Sequence, residues 1–339
     1  MRAVVSGLAA VCLAGCYTLT YTAPRALPPG AHLAERWVTT LDRENPLVGK
    51  VWQTSSDAEV CESSFFADLL NEDFVLLGEQ HDNPDHHRIQ AAIIDFLAHA
   101  GRKPIVALEM LEPEQDAVIV QYRATKHASA AGLGAIVGWE KRGWPAFQTY
   151  LPIAETAFAN ELLLIGANLE ADVAHQVARE GAHALAADRA TRLGLDTPLA
   201  PGLEASLESE LVASHCGKLP PAMVGTMAVA QRARDGQMAS SLLAHASDGP
   251  LVLIAGAGHA RSDRGVPLRL RAARPTARIV SVGFVEVDAA LDTPHQYASR
   301  FGADKLPFDY VWFTPRATDD DPCKGFTLGP HVRPKPTSP

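Results

Sequence analysis

Two stretches of this chain share a plan that few folds accommodate. Val75-Leu76-Leu77-Gly78-Glu79-Gln80-His81 is an apolar run that stops at a glycine and presents a histidine three residues on; Leu251-Val252-Leu253-Ile254-Ala255-Gly256-Ala257-Gly258-His259 repeats the arrangement far along the chain. A short unbroken apolar run closed by glycine is the pattern of a strand buried on both faces and followed by a backbone turn. Both imidazoles are therefore expected in loops at the carboxyl ends of buried strands, where open α/β sheets carry their sites.

The surrounding sequence alternates in the same sense. Strands are expected at Phe74 to Leu77, Pro104 to Leu108, Leu162 to Ala167, Leu251 to Ala255 and Ala277 to Val282, with an edge strand at Tyr310 to Phe313. Between them, Pro84 to Ala100 carries Ile89, Ala92, Ile93, Phe96 and Leu97 on one helical face and closes at Gly101. Glu112 to Lys126, Ala154 to Asn160 (after Pro152), Ala205 to His215 and Pro221 to Ala246 also read as helices. Strands separated by helices define an α/β class: a mostly parallel sheet covered by helices on both faces. The stretch 110–245 holds more helix than simple crossovers need, so a helical insertion or cap over the strand carboxyl ends is expected. The domain is expected to span 36–313.

The ends read differently. Met1-Arg2, an apolar stretch from Ala3 to Ala14, and Leu13-Ala14-Gly15-Cys16 describe an export signal over 1–15 whose last four residues resemble a lipobox. That resemblance implies lipidation of Cys16 and a membrane anchor on the non-cytoplasmic side; the alternative is an ordinary secretory signal. Tyr17, not an aspartate, follows the cysteine, which favours an outer-membrane destination. Residues 16–35, with Pro24, Pro28, Pro29 and Gly30, read as a tether, and 314–339 as a proline-rich tail. Net charge of −9 without a basic cluster argues against nucleic acid. Cys61, Cys216 and Cys323 allow one disulfide within the mature chain, and the sequence does not choose the pair.

Chemistry concentrates at the expected strand ends. Glu79 and His81 follow the first strand, Glu109 the second, Asn168 the third and His259 the fourth. In a parallel sheet these ends share a rim, with neighbouring strands about 5 Å apart. His81, Glu109 and His259 are of types that hold a divalent metal and activate water; without metal, Glu79, His81, Glu109 and His259 supply a base and an acid for hydrolysis. Arg234 or Asp235, inside a long helix, is placed to hold an anionic ligand or orient a histidine, and Asp263, after His259, to make a supporting contact behind the ligand-binding residues. The other histidines, including the flanking His86 and His87, read as ordinary polar residues. No G-x-S-x-G, H-E-x-x-H or G-x-x-x-x-G-K motif is present.

Leu77-Gly78-Glu79-Gln80-His81 with Asp82, Pro84 and His87, Ala107-Leu108-Glu109-Met110, Trp144 through Tyr150 and Ala167-Asn168 form an ordered series. It continues through Gln231, Arg234, Asp235, Met238 and Ala239 to Gly256-Ala257-Gly258-His259, Arg261, Asp263 and Gly265-Val266-Pro267. In this order they resemble the ChaN-like haem-binding uptake family of the Tiki superfamily. The resemblance implies bacterial lipoproteins that bind haem in iron uptake, on an α/β fold with a helical cap, and a homodimer when loaded. The wider superfamily implies instead a metal-dependent protease or hydrolase, with a peptide or ester as substrate. Haem requires an axial donor, an apolar slot and a polar clamp for its propionates. Tyr150, Tyr122 and His87 are the donors considered, and the sequence does not choose among them.

Overall fold

The computed structural model describes residues 37–327. The leader, Cys16 and the tether lie outside the described residues, as does the chain beyond 327. One sheet contains β1 (Val51–Gln53), β2 (Ala58–Val60), β3 (Phe74–Glu79), β4 (Ile105–Leu108), β5 (Leu164–Gly166), β6 (Leu251–Gly256), β7 (Ile279–Glu286) and β8 (Tyr310–Thr314). Its order is β2-β1-β8-β7-β3-β6-β4-β5. Strands β3 to β8 run parallel, and β1 and β2 add antiparallel against β8. The α/β class and mostly parallel sheet are as expected.

Two details differ. Tyr310 to Phe313 was expected at an edge, but β8 lies inside the sheet because the short hairpin of β1 and β2 covers it. Each strand of that hairpin has three residues, too few to show a period of two. Thr314, where the tail was expected to begin, closes β8 and is buried. The following segment stays against the domain: Arg316 pairs with Asp42, and Cys323 is bonded to Cys216 with the Cα atoms 5.4 Å apart.

Strand β3 shows why the apolar runs fold as they do. Successive side chains leave a strand on opposite faces. Val75 and Leu77 therefore enter the core layer containing Ile93, Ile94 and Ile153, while Phe74 and Leu76 enter the other, with Leu242 and Leu270. Every residue of β3 is buried, so no polar alternation was available to read.

The helices are α1 (Glu62–Leu69), α2 (Pro84–His99), α3 (Asp116–Arg123), α4 (Ala130–Ile136), α5 (Phe147–Ala159), α6 (Ala171–Glu180), α7 (Ala187–Arg192), α8 (Pro201–Ser214), α9 (Pro221–Ala244), α10 (Ala257–Ala260) and α11 (Val266–Ala273). Helices α3 to α5 follow β4, and α6 to α9 follow β5. The expected start at Ala154 is too late, since α5 begins at Phe147 and runs through Pro152. A proline there removes one backbone donor, and burial of Tyr150, Ile153, Ala154 and Ala157 against the sheet offsets that loss. Helix α9 has two roles. Met238, Ala239 and Leu242 join the sheet core, whereas Met223, Ala228, Ala230 and Ala233 pack with α6 and α8, which stand off the sheet. No helix among the described residues is long and apolar enough to cross a membrane.

Candidate functional site

Register assembles the site. Parallel pairing sets Glu79 opposite Gly256, and Leu108 opposite Ile254. The next amide, of Glu109, donates to the Ile254 carbonyl at 3.0 Å. Connections from β3 lead outward to β4 and β5, whereas β6 leads back across β3 to β7, which opens a crevice at these strand ends.

Charged side chains fill the rim. The Nδ1 of His81 lies 2.9 Å from Glu79 Oε1, which also accepts the Tyr150 hydroxyl at 2.6 Å. His81 Nε2 is 3.9 Å from Glu109 Oε2, and that oxygen accepts the Gly256 amide at 2.7 Å. The other Glu109 oxygen accepts from Arg234 at 3.1 Å and faces His259 Nε2 at 3.3 Å. His259 Nδ1 meets Asp235 Oδ1 at 2.6 Å. Asn168 donates to the Glu109 carbonyl at 2.8 Å and accepts from Arg234 Nε at 3.0 Å. Neighbours on α9, Arg234 and Asp235 thus hold Glu109 and His259 respectively.

Glu79, His81, Glu109, Tyr150, Asn168, Arg234, Asp235 and His259 come together. Asp263 does not; it turns away to Arg261, at 3.0 and 2.7 Å. The two motif glycines serve different close approaches. A Cβ on Gly78 would lie 2.7 Å from that of Ala260, and one on Gly256 would lie 2.9 Å from His81 Nε2.

His87, read from sequence as an ordinary polar residue, belongs to the cluster. It is buried with Nε2 3.4 Å from Glu79 Oε2, and its ring lies 4.0 Å from that of Tyr150. The available signal was Asn83-Pro84, which fixes the start of α2: Asn83 caps the amides of Asp85 and His86, and Pro84 occupies the first turn. His86 has a different task. Burial pushes its pKa down to about 3, and the neutral ring accepts the Gln80 amide and reaches Thr314, locking the loop after β3. Gln231 was quoted for the resemblance but given no role; its Nε2 lies 3.1 Å from His259 Nε2.

Burial opposes charge on Glu79, Glu109 and His259, and mutual attraction overrides it; at Asp235 burial prevails and raises the carboxyl pKa. Burial works against ionisation of Glu79 and Glu109, yet the imidazoles of His87 and His81 hold Glu79, and His259, His81 and Arg234 hold Glu109, well below the usual carboxylate range. Burial likewise opposes a charged His259, but Glu109 and Asp235 raise it from 6.5 to about 9. His259 is therefore an imidazolium at neutral pH.

A pH profile follows. The stabilising contribution of His259 is complete below 6.5 and is lost as pH climbs through about 9. The contributions of Glu79 and Glu109 are complete above 4.5 and disappear on acidification. His86, kept neutral in the fold down to about 3, lowers stability below 6.5, so urea midpoints should peak near 6.5, with an alkaline decline on the order of 3 kcal/mol that His259→Gln flattens. An alkaline limb identical in wild type and variant would contradict this assignment.

His81, Glu109 and His259, expected as a metal trio, do meet, but among the described residues no His, Cys, Asp or Glu group is arranged to hold a metal ion. His259 faces Asp235 and Glu109, and both Glu109 oxygens are engaged.

Beside this rim lies a cleft of about 920 Å³ bounded by α6, α8, the first half of α9 and the segment 137–144. Asn168, Gln231 and Arg234 connect it to the rim. Met110, Leu169, Leu207, Leu211 and Met227 supply apolar wall; Lys141, Arg142, Trp144, His175 and His215 line it too, with two carboxylates, Glu210 and Glu112, the latter 3.6 Å from Arg142. The size is that of a small-molecule site. Its chemistry fits an iron porphyrin: an apolar slot, cations for carboxylates and nitrogen or thioether donors for a metal.

The donors considered from sequence do not line it. Tyr150 is 2% exposed, gives its hydroxyl to Glu79, and is held as a phenol by burial and that carboxylate's charge. His87 is wholly buried, and Tyr122 closes a local turn with Ser129.

Fold and site together define an α/β ligand-binding protein with a helical cleft over a charged strand-end rim. The chain belongs to the haem-binding uptake family of the Tiki superfamily, ChaN, whose family model matches residues 65–270. Among solved structures it is similar to one described as cofacial heme binding to ChaN of Campylobacter jejuni. Identity is 21%, 77% of this chain and 95% of that chain are covered, and the TM-score is 0.58. A weaker likeness is to an erythromycin esterase, EreC, in its open conformation, at 14% identity over 70% of this chain and 77% of that one, with TM-score 0.40. No curated protein matches the chain.

Proposed function

We propose that the cleft binds haem or a related iron porphyrin, and that the chain serves iron uptake as an exported, lipid-anchored protein. The carrying observation is the lining of the cleft, where apolar wall, cations and metal donors coincide in a member of a haem-binding family. Lys141, Arg142 and Arg234 supply charge for the propionates. Met110, Leu169, Leu207, Leu211 and Met227 cover the apolar ring and exclude water. Arg234 is fixed in place by Glu109 and Asn168, so the rim serves as a rigid base for the clamp. Export is supported by the lipobox-like leader and by the Cys216–Cys323 disulfide, which suits an oxidising compartment.

Hemin titration followed in the Soret region tests the reading. Saturable binding is expected, with the mass of the loaded species reporting the homodimer implied by the resemblance. Changing Lys141 and Arg142 together to Gln should weaken binding about tenfold or more, by loss of charge-assisted hydrogen bonds. A titration without saturation removes the proposal.

A second reading rests on His81, whose Nδ1 is oriented by Glu79 while 32% of its side chain is exposed. An imidazole so held is a general base for water, and the reaction class is ester or peptide hydrolysis. Turnover of a chromogenic ester that His81→Gln abolishes, in protein that ignores hemin, decides for this reading.

A further inference from the structure

Behind the Asp235–His259 pair, three guanidiniums come from elements packed on one another: Arg232 from α9, Arg269 from α11 and Arg264 from the turn before α11. Arg232 is 6% exposed and Arg264 3%. Burying a cation is costly unless a counter-charge and hydrogen bonds compensate it. Here the compensation is incomplete. Arg232 donates Nη2 to the Thr197 carbonyl at 2.5 Å, and its carboxylate partner, Glu204, is 4.0 Å away. Arg269 donates Nη1 to the Gly194 carbonyl at 2.7 Å, and Asp196 and Asp235 act on it from beyond hydrogen-bond reach. Arg264 meets Glu210, which it shares with Arg261.

Buried nitrogens on all three side chains have no hydrogen-bond partner among the described residues: Nε of Arg232, Nε and Nη1 of Arg264, and Nε and Nη2 of Arg269. The Arg269 pair is the informative one. Nε and Nη2 lie along one edge of a guanidinium, and with that same edge Arg261 holds both oxygens of Asp263, at 3.0 and 2.7 Å. Such an edge grips an anion at two points. On Arg269 it is turned into a cationic neighbourhood, where Arg232 repels it, and both Arg264 and Arg269 act on Asp235, whose Oδ1 is given to His259.

We infer that a small inorganic anion binds the Nε–Nη2 edge of Arg269, between α9, α11 and the loop 193–197, with Arg232 and Arg264 as its further donors. It would answer the repulsion and the unmade hydrogen bonds together, and would hold the loop to the back of the rim. The donors are closed off from solvent, so the ligand is small. Chloride and phosphate share the required charge, and the test separates them. The inference goes beyond the haem reading and stands or falls without it.

The experiment is urea unfolding of the full chain, without hemin, in sodium gluconate, chloride or phosphate at matched ionic strength. A bound anion stabilises as the logarithm of its concentration, whereas salt exclusion acts alike on wild type and variants. The wild-type midpoint should rise with chloride or phosphate above its value in gluconate. Arg269→Gln should remove that rise. Arg269→Lys, which keeps the charge and loses the two-point edge, should raise the anion concentration required by about tenfold or more. Arg274→Gln, exposed just past the end of α11, should respond as wild type does. Should the Gln variant not fold, the Lys variant and crystals grown with the responding anion decide, bromide replacing chloride for its anomalous signal. A peak within hydrogen-bond distance of Arg269 Nε and Nη2 is expected. Equal wild-type midpoints in all three salts, a rise that both Arg269 variants retain in full, or water alone at that edge overturns the inference.

Discussion

Glu109→Ala is expected to destabilise the protein by about 3–5 kcal/mol, among the largest effects open to a single substitution here. The carboxylate sits between His259, Arg234 and the Gly256 amide, and the buried His259 ring and Gly256 amide cannot turn to bulk water once it is gone. Alanine leaves the buried imidazolium with Asp235 as its remaining counter-charge and the guanidinium with the Asn168 carbonyl alone. Glu109→Gln should cost less, because it still accepts from Gly256. In Glu109→Ala/His259→Ala, the loss should be smaller than the sum of the singles, since removing one charge relieves the penalty of removing the other. Urea unfolding measures all four variants. A Glu109→Ala loss under about 1 kcal/mol, the range of a neutral hydrogen bond, would mean the network is hydrated and open.

The disulfide should matter about as much. It joins residues 107 apart in sequence, and restricting an unfolded loop of that length stabilises the native state by about 4–5 kcal/mol on chain entropy alone. Cys216→Ser/Cys323→Ser should lower the urea midpoint accordingly, and reductant should bring wild type to the same value. Cys61→Ser, at an exposed position outside the bridge, should change stability by no more than about 0.5 kcal/mol. Equal midpoints for wild type with and without reductant would show that the bridge does not constrain the unfolded chain.

What could be read from sequence follows the range of the interactions involved. Strands β3 and β6 were legible because an unbroken apolar run ending in glycine has few other uses, and their parallel register then brings Glu79, Glu109 and His259 to one rim. The inner place of β8 was not legible, because it depends on a hairpin of three-residue strands that declares itself only by pairing. Pro152 suggested a boundary that buried Tyr150 and Ile153 override. His86 and His87 are neighbours of one type, and the rotation of α2 alone gives the first a structural lock and the second a place against Glu79. Residue type likewise nominated Tyr150 as a metal donor, whereas its orientation makes it a hydrogen-bond donor to a carboxylate. The partner of Cys216 required the tertiary path of the C-terminal segment.

The most direct test of the central claim is an anomalous difference map at the iron edge from crystals grown with hemin. A single strong peak is expected inside the cleft between α6 and α8, within bonding distance of a protein donor, with Arg234 and the Lys141–Arg142 segment on the propionate side. Iron lodged outside that cleft, or on the strand-end rim among Glu79, His81 and His259, would contradict it.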